Sequence, residues 1–351
     1  MKIFGTLLGL LFLSVLTCTG QGNSQVAQPT FTLNKLSEEI VFNKPPFRSA
    51  HASTIEQLTP TKFIAASFAG TGEGNKDVCI WTSTFEKGVW STPRNVANGI
   101  INDTLRHPCW NPVLFKEKSG KLFLFYKVGP TPSAWWGMLM TSTDDGKTWS
   151  KPEKLPEGII GPVKNKPVQL ANGTILAPSS LETKEANWKV HIEKSTDGGK
   201  TWQFITIDPK SEFSAIQPSI LIHPDNKLQI LCRSKNGVLV QAFSEDNGNT
   251  WGPLTKTDLP NPSSGTDAVT LKNGMHVLVY NPIARGRNKL NVAISKDGIK
   301  WSDAAILENQ DRGEFSYPAV IQAKDGKIHV TYTYNRRNIK HTVLEMVKTE
   351  L

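Results

Sequence analysis

The chain has 351 residues, of which 38% are hydrophobic and 20% are charged, and its formal net charge is +9. This composition is typical of a globular protein and excludes a wholly disordered or collagen-like chain. Lys and Arg are scattered singly rather than grouped in runs, so we expect an anionic small molecule or glycan as partner and no nucleic acid.

The first 22 residues have the pattern of a secretory signal peptide. Lys2 precedes an apolar stretch from Ile3 to Leu16, and small and polar residues follow. The apolar stretch is too short to span a bilayer, and no longer one follows. We therefore expect export to the periplasm or the exterior and no membrane span. Cys18 lies in a string that loosely fits a lipid-attachment box, which leaves a lipid anchor there open.

A turn-like string, Ser-x-Asp-x-Gly-x-Thr-Trp, recurs along the chain. It occupies residues 142–149, 195–202 and 244–251, in shortened form 295–301, and in degenerate form 83–90. Asp and Gly favour tight turns, and the Trp can pack each turn against a sheet. Self-similarity at a period of about fifty residues indicates a repeat architecture.

A second repeat lies out of phase with the first. In each unit a short strand, a turn and a second apolar strand follow a polar leading residue; the six leading residues are His51, Asn111, Lys166, Gln217, Asp267 and Tyr317. Six such units predict an all-β, six-bladed β-propeller as one domain over residues 23–351, its first sheet completed by a strand from the other terminus. Six different polar leading residues in one ring predict a site at one mouth of the central channel.

Over residues 40–350 the chain resembles the bacterial sialidase (neuraminidase) superfamily, a glycoside hydrolase family 33-like group with Asp-box (BNR) repeats. The resemblance implies an arginine triad for a substrate carboxylate, matched by Arg48, Arg233 and Arg287, and a tyrosine nucleophile, matched by Tyr317. The family also uses an activating glutamate and an aspartate acid/base. Gln217 and Ala69 stand at those two positions, so the proton-transfer groups are replaced.

Several residues are candidates for the replaced chemistry. His51 titrates near neutral pH and lies near Arg48, which suits general acid/base catalysis. Asp267 is a candidate base or nucleophile, and Glu73 is a candidate acid on the loop that lacks the aspartate. Further candidates are Asp77 on that loop and Glu182 at a predicted strand end, with Lys127, Lys166, Asn111 and Gln217 as substrate-binding residues.

These residues predict a monomeric exo-glycosidase that acts on a glycan with a terminal acidic sugar such as sialic acid. Two alternatives remain open. One is a uronate-directed polysaccharide lyase, in which His51 or Tyr317 abstracts the sugar's C5 proton. The other is a propeller that binds glycans without turning them over. The histidines and cysteines lack metal-ligand spacing, so neither a catalytic metal nor a cofactor is predicted.

Overall fold

The computed structural model describes Met1 and residues 30–183 and 188–349. The predicted signal peptide, apart from Met1, and Cys18 lie outside the described residues. Within them, no helix has the length and apolarity needed to cross a membrane.

The described residues form six antiparallel sheets arranged as the blades of a propeller, as the repeats predict. The chain starts with β1 (Thr30–Ile40). Blade 1 contains β2 (Ser49–Thr59), β3 (Lys62–Gly70), β4 (Cys79–Glu86), β5 (Val89–Trp90) and β6 (Arg94–Ala97). Blade 2 contains β7 (Cys109–Lys116), β8 (Leu122–Val128), β9 (Trp136–Ser142) and β10 (Glu153–Lys154). Blade 3 contains β11 (Val168–Gln169), β12 (Ile175–Glu182), β13 (Trp188–Ser195) and β14 (Gln203–Thr206).

The other three blades follow the same order from the innermost strand outwards. Blade 4 contains β15 (Ala215–Ile222), β16 (Leu228–Ser234), β17 (Val238–Ser244) and β18 (Thr255–Pro260). Blade 5 contains β19 (Asp267–Thr270), β20 (His276–Tyr280), β21 (Lys289–Ser295) and β22 (Ser302–Asn309). Blade 6 contains β23 (Phe315–Gln322), β24 (Ile328–Tyr334) and β25 (Asn338–Thr349).

The ring closes in the last blade, and the expectation that the first sheet is completed by a strand from the other terminus is wrong. Strand β1 pairs antiparallel with β25, from Phe31 opposite Lys348 to Ile40 opposite Lys340. Blade 1 already has its outer strands from its own segment, whereas β25 has an open edge. Pairing β1 with that edge satisfies its backbone groups and joins the two ends of the propeller.

Apolar side chains fill the spaces between neighbouring blades. Between blades 1 and 2, for example, Ile64 and Ile80 share a buried cluster with Leu114 and Leu124. The central strands are buried on both faces. In β8, for example, every residue is buried and all are apolar or aromatic except one lysine. This packing fixes the inner strands and therefore the side chains at the channel mouths.

The repeated turns have one geometry. In the turn of residues 244–251, the Asp246 carboxylate accepts hydrogen bonds from Ser244 Oγ (2.9 Å), Thr250 N (2.8 Å) and Thr250 Oγ1 (2.6 Å). Asp144 and Asp197 accept the equivalent bonds in their own turns. The bonds from Thr250 and Ser244 hold the pKa of Asp246 below its ordinary value. Each Asp therefore stabilises its turn in the ionised form.

We expect Asp246→Ala to lower the midpoint of thermal unfolding by several degrees, because three hydrogen bonds to one carboxylate are lost. Glu245→Ala, in the same turn, is the matched control, since the side chain of Glu245 is exposed and pairs with Lys227 at the surface. Thermal unfolding of both variants measures the difference. Equal midpoints would show that the Asp does not stabilise the turn.

Buried histidines predict a loss of stability in acid. Burial and His341 lower the pKa of His329 to about 3, and burial and His223 lower that of His276 to about 4. Both values lie below that of an unfolded histidine, about 6.5, so the unfolded chain binds more protons. The stabilising contribution is complete above about pH 6.5 and is lost as the pH falls towards the folded-state values. The midpoint of thermal unfolding should fall between pH 7.5 and pH 4.5, and it should fall less steeply in His329→Gln than in the wild type.

The control is His107→Gln, which replaces a half-buried histidine. Parallel slopes in the wild type and both variants would show that His329 does not contribute to the loss of stability in acid.

A bulge in the innermost strand sets the side chains at one mouth of the channel. Pairing shifts register between His51 and Thr54, and at the matching place in blades 2, 4 and 6. The first bulged residue has a positive φ in each case: Ala52 (54°), Asn111 (37°), Gln217 (56°) and Tyr317 (51°). Such φ values are costly for residues other than glycine. In blades 3 and 5, counting back along the innermost strand by the same number of residues gives the equivalent position. That position is Lys164 (φ 77°) in blade 3 and Gly265 in blade 5.

The predicted ring is therefore correct for three blades and shifted in the other three. Asn111, Gln217 and Tyr317 occupy the bulge position, whereas His51 precedes it by one residue, and Lys166 and Asp267 follow it by two. The extra residue of a bulge displaces the side chains that follow it. A repeat aligned only by sequence does not show this displacement.

Candidate functional site

Tyr317 and Arg233 meet at the mouth formed by the bulges. Arg233 Nη1 donates a hydrogen bond to the Tyr317 hydroxyl at 2.6 Å and lies 3.5 Å from the Gln217 side-chain oxygen. The guanidinium of Arg233 also stacks on the ring of Trp188, 4.8 Å from its centroid. Blades 6, 4 and 3 thus combine to fix one planar cation against the tyrosine oxygen.

A second guanidinium, that of Arg287, covers the ring of Tyr317 at 5.6 Å from the centroid. Arg287 is held by Glu314 at 2.9 Å and by the carbonyl of Ser263 at 3.2 Å. Its near neighbour Arg285 is exposed. Arg287 is therefore the arginine of this segment that points into the mouth.

Arg336, which the sequence analysis missed, joins this cluster from the turn between β24 and β25. Its Nε donates to Glu314 at 2.8 Å and its Nη1 contacts Glu73. Burial alone would raise the pKa of Glu314, but its bonds to Arg336 and Arg287 outweigh burial and hold that pKa below its ordinary value. Arg48 is exposed before β2 and has no hydrogen bond or ion pair from its side chain to any described residue.

His51 is buried beside Tyr317, with the two ring centroids 4.3 Å apart. Its Nδ1 pairs with Thr333 Oγ1 at 2.9 Å, whereas its Nε2 is buried and has no hydrogen-bond partner in the part of the chain that the structure describes. Burial and the positive charges of Arg336, Arg287, Arg233 and Lys164 hold the pKa of His51 well below its ordinary value. The imidazole is therefore neutral, so one of its ring nitrogens carries a hydrogen and the other a lone pair.

The floor of the mouth is formed by Gln217, Lys164 and Gly265. A β-carbon on Gly265 would lie 3.1 Å from Gln217 Oε1, 3.2 Å from Lys164 Cε and 3.3 Å from Tyr317 Cγ, so only glycine fits without displacing a neighbour. Lys164 Nζ donates to Asn165 Oδ1 and the Thr266 carbonyl, each at 2.8 Å, and to the carbonyl of Pro318. Burial lowers the pKa of Lys164 to about 7. Lys164 ties three blades together directly behind Tyr317.

Other residues predicted for the site lie elsewhere or are already bonded. Asp267 pairs with Lys166 at 2.7 Å and accepts bonds from Ser219 Oγ and Val320 N inside the ring of inner strands. Lys166 also lines a cavity of about 610 Å³ at the end of the inner strands away from the bulges. Lys127 is buried and donates to the carbonyl of Pro162, and Asn111 is buried at its bulge. Their catalytic or binding roles stay predictions.

An aromatic wall extends from Tyr317 across blades 1 and 2. Successive ring centroids lie 4.3 to 6.1 Å apart along Tyr317, His51, Phe68, Trp110 and Trp135. The wall ends at a cavity of about 250 Å³ beside Trp135. In the ranges that the structure describes, no three His, Cys, Asp or Glu side chains are grouped so that they could bind a metal ion.

Comparisons with known proteins agree with this architecture. Residues 61–330 match the family described as BNR repeat-like domain. The chain is 23% identical over 232 residues to a sialidase from Bacteroides fragilis (strain YCH46), a match that spans 60% of this chain and 41% of that protein.

Two solved structures share the fold. A Dyadobacter fermentans protein of unknown function superposes with a TM-score of 0.74 at 17% identity, over 90% of this chain and 100% of that one. A Hadza microbial sialidase superposes with a TM-score of 0.73 at 17% identity, over 84% of this chain and 65% of that one. At these identities the likeness shows the six-bladed propeller and no more.

Proposed function

The chain belongs to the BNR repeat-like domain family within the sialidase-like superfamily, and on this premise we propose that it is a glycoside hydrolase that releases a terminal acidic sugar, such as sialic acid, from a glycan. The observation that carries the proposal is the pair of guanidinium groups on Tyr317: Arg233 on its hydroxyl and Arg287 over its ring. Planar guanidinium groups bind carboxylates through two parallel hydrogen bonds. A neutral tyrosine can approach an anomeric carbon that bears a carboxylate, whereas an anionic nucleophile would be repelled.

His51 supplies the base that Gln217 cannot. An amide does not accept the phenol proton, but the free Nε2 of the neutral His51 ring lies in a side chain packed against Tyr317. In the proposed first step, Tyr317 Oη bonds to the anomeric carbon as its proton passes to His51, and the glycosidic bond breaks while the leaving oxygen takes up a proton and departs as an alcohol. The substrate carboxylate offsets the nearby arginine charges that oppose protonation of His51. In the second step water attacks the anomeric carbon and loses a proton, and the displaced tyrosine oxygen regains its own proton from His51.

The experiment is turnover of a fluorogenic N-acetylneuraminic acid α-glycoside by the purified protein, with a panel of uronate-containing glycans run in parallel. Release of the fluorophore with free sugar as co-product supports the proposal. Absence of turnover of every acidic-sugar glycoside, together with binding of the same glycans, would overturn it in favour of a glycan-binding propeller.

A uronate lyase is the second candidate, and the neutral His51 beside Tyr317 is the observation that favours it. Such a lyase needs one group to take the C5 proton and another to protonate the leaving oxygen, while cations neutralise the carboxylate. Arg233 and Arg287 lie beside Tyr317 for the last task. A product with the ultraviolet absorbance of an unsaturated uronate would identify this reaction.

We also propose export, with residues 1–22 removed, on the basis of Lys2 and the apolar stretch Ile3 to Leu16 that follows it. Mass spectrometry of the protein from its native cells would give the mature N-terminus, and a mature chain that begins at a lipid-bearing Cys18 would show cleavage before Cys18 in place of removal of residues 1–22.

A further inference from the structure

We propose that Glu182 is the proton donor to the leaving group of this reaction, in place of the aspartate that Ala69 replaces. The inference rests on the proposed hydrolase function and assigns the one step for which that function has no residue. Glu182 is not at a bulge position and is the last residue of β12.

The position of Glu182 places it on the rim of the mouth. Its strand register sets it opposite Trp188, the residue whose ring stacks on Arg233. It lines the cavity of about 250 Å³ at the end of the aromatic wall, together with Trp135, Ile160 and Leu181. A sugar held at Tyr317 and Arg233 would therefore have this cavity beside it, with room for the group attached through the glycosidic oxygen.

Glu182 differs from the other carboxylates near the mouth because no residue of the described ranges bonds to its carboxyl. Glu314 is held by Arg287 and Arg336, and Glu73 is held by Arg336. Asp77 accepts hydrogen bonds from the backbone and the hydroxyl of Thr71. Among the described residues, none forms a hydrogen bond or an ion pair with the Glu182 carboxyl. A carboxyl bound by arginine stays ionised, whereas a free one can carry the proton that a general acid needs.

The electrostatic surroundings act in the same direction. Burial raises the pKa of Glu182, the nearby positive charges of Arg233 and Lys235 oppose that rise, and the Glu73 carboxylate adds to it; the net pKa is above the ordinary value. This is the shift that a carboxylic acid needs in order to remain protonated closer to neutral pH.

The proton balance closes with Glu182 in this role. As the glycosidic bond breaks, the Glu182 carboxyl gives its proton to the glycosidic oxygen, and the leaving group departs as a neutral alcohol. Glu182 is then a carboxylate. When water attacks the anomeric carbon in the second step, Glu182 takes the proton of that water and returns to its acid form, as in other retaining glycosidases.

The test compares two leaving groups in Glu182→Gln. An aryl sialoside has a leaving group acidic enough to depart without a proton, whereas sialyllactose has a sugar alcohol that needs one. We expect kcat/KM for sialyllactose to fall by about 10²- to 10⁴-fold, and kcat/KM for the aryl sialoside to fall by less than about tenfold. The value kcat/KM is used because it reports bond cleavage and not the later attack by water.

The pH profile and a control complete the test. With sialyllactose the wild type should lose kcat/KM on the alkaline side as Glu182 loses its proton, and Glu182→Gln should lack that limb. Glu153→Gln, an exposed glutamate in β10, should match the wild type, and thermal unfolding checks that both variants are folded. Equal losses on both substrates, or no loss on either, would overturn the role of Glu182 while wild-type turnover still supported the hydrolase. A wild type inactive on both sialosides would overturn the hydrolase itself.

Discussion

Replacing Tyr317 with phenylalanine is expected to lower kcat on the preferred acidic-sugar substrate by about 10³-fold or more. The substitution removes one oxygen, the atom that accepts the 2.6 Å hydrogen bond from Arg233. The ring that packs against His51 and beneath Arg287 remains. Binding of the sugar carboxylate should therefore persist, and KM should change far less than kcat. Steady-state kinetics on the fluorogenic sialoside and on the best uronate substrate measure both constants.

Tyr280→Phe is the matched control for this variant. Tyr280 is also buried and also uses its hydroxyl in a hydrogen bond, to Asp303 at 3.1 Å, but it lies in β20 outside the mouth. A loss of stability without a loss of kcat in Tyr280→Phe would separate the structural cost of removing a buried hydroxyl from its chemical role. Activity of Tyr317→Phe within a few-fold of the wild type would show that the tyrosine oxygen takes no part in the reaction.

The repeats were sufficient to predict the architecture because each one corresponds to a physical unit. The Asp246 turn and its equivalents have a local hydrogen-bond pattern that needs particular residues at fixed spacing. The hairpins between these turns are also specified locally, by the pattern of apolar residues within each repeat. Six such hairpins therefore predict six blades. Ring closure is different, because the pairing of β1 with β25 joins segments about 300 residues apart and leaves no periodic pattern in either.

The bulges explain why the site could be predicted only in part. Asn111, Gln217 and Tyr317 are each followed by proline and occupy the bulge position, but Lys166 is also followed by proline and lies two residues beyond it, so the proline alone does not mark the position. His51 and Asp267 lack that proline. An alignment of the repeats that ignores the extra residue of the bulge therefore assigns them to the wrong position along the strand. His51 nevertheless reaches Tyr317, because the residue just before the bulge also lies near the mouth.

Residues that complete the site from other blades left no signal in the sequence. Arg336 lies in a hairpin turn, where an arginine usually faces solvent, and only the approach of Glu314 and Glu73 brings it to the mouth. Trp188 is similar, since nothing in blade 3 alone indicates that its ring will support Arg233 from blade 4. Contacts between blades depend on how the sheets pack, which the pattern within one repeat does not contain.

Arg233→Lys is expected to reduce kcat/KM by about a hundredfold, although the positive charge is kept. The guanidinium of Arg233 makes several contacts at once, among them a hydrogen bond to Tyr317, a stack on Trp188 and a 3.5 Å approach to the Gln217 side-chain oxygen. A lysine ammonium is a point donor with no flat face, so it cannot stack on Trp188 while bonding to the tyrosine and a carboxylate. The loss should appear in both KM and kcat, because the same group binds the substrate and orients the nucleophile.

Arg285→Lys separates this effect from a general change of charge or surface. Arg285 is exposed on the segment that carries Arg287, and it should retain wild-type kinetics. Trp188→Leu, which removes the stacking face but leaves Arg233 in place, should show a smaller loss in the same direction, since Arg233 keeps its bond to Tyr317 but not its orientation. If Arg233→Lys retained full kcat/KM, charge alone would account for binding of the acidic sugar, and the planar geometry at Tyr317 would have no part in it.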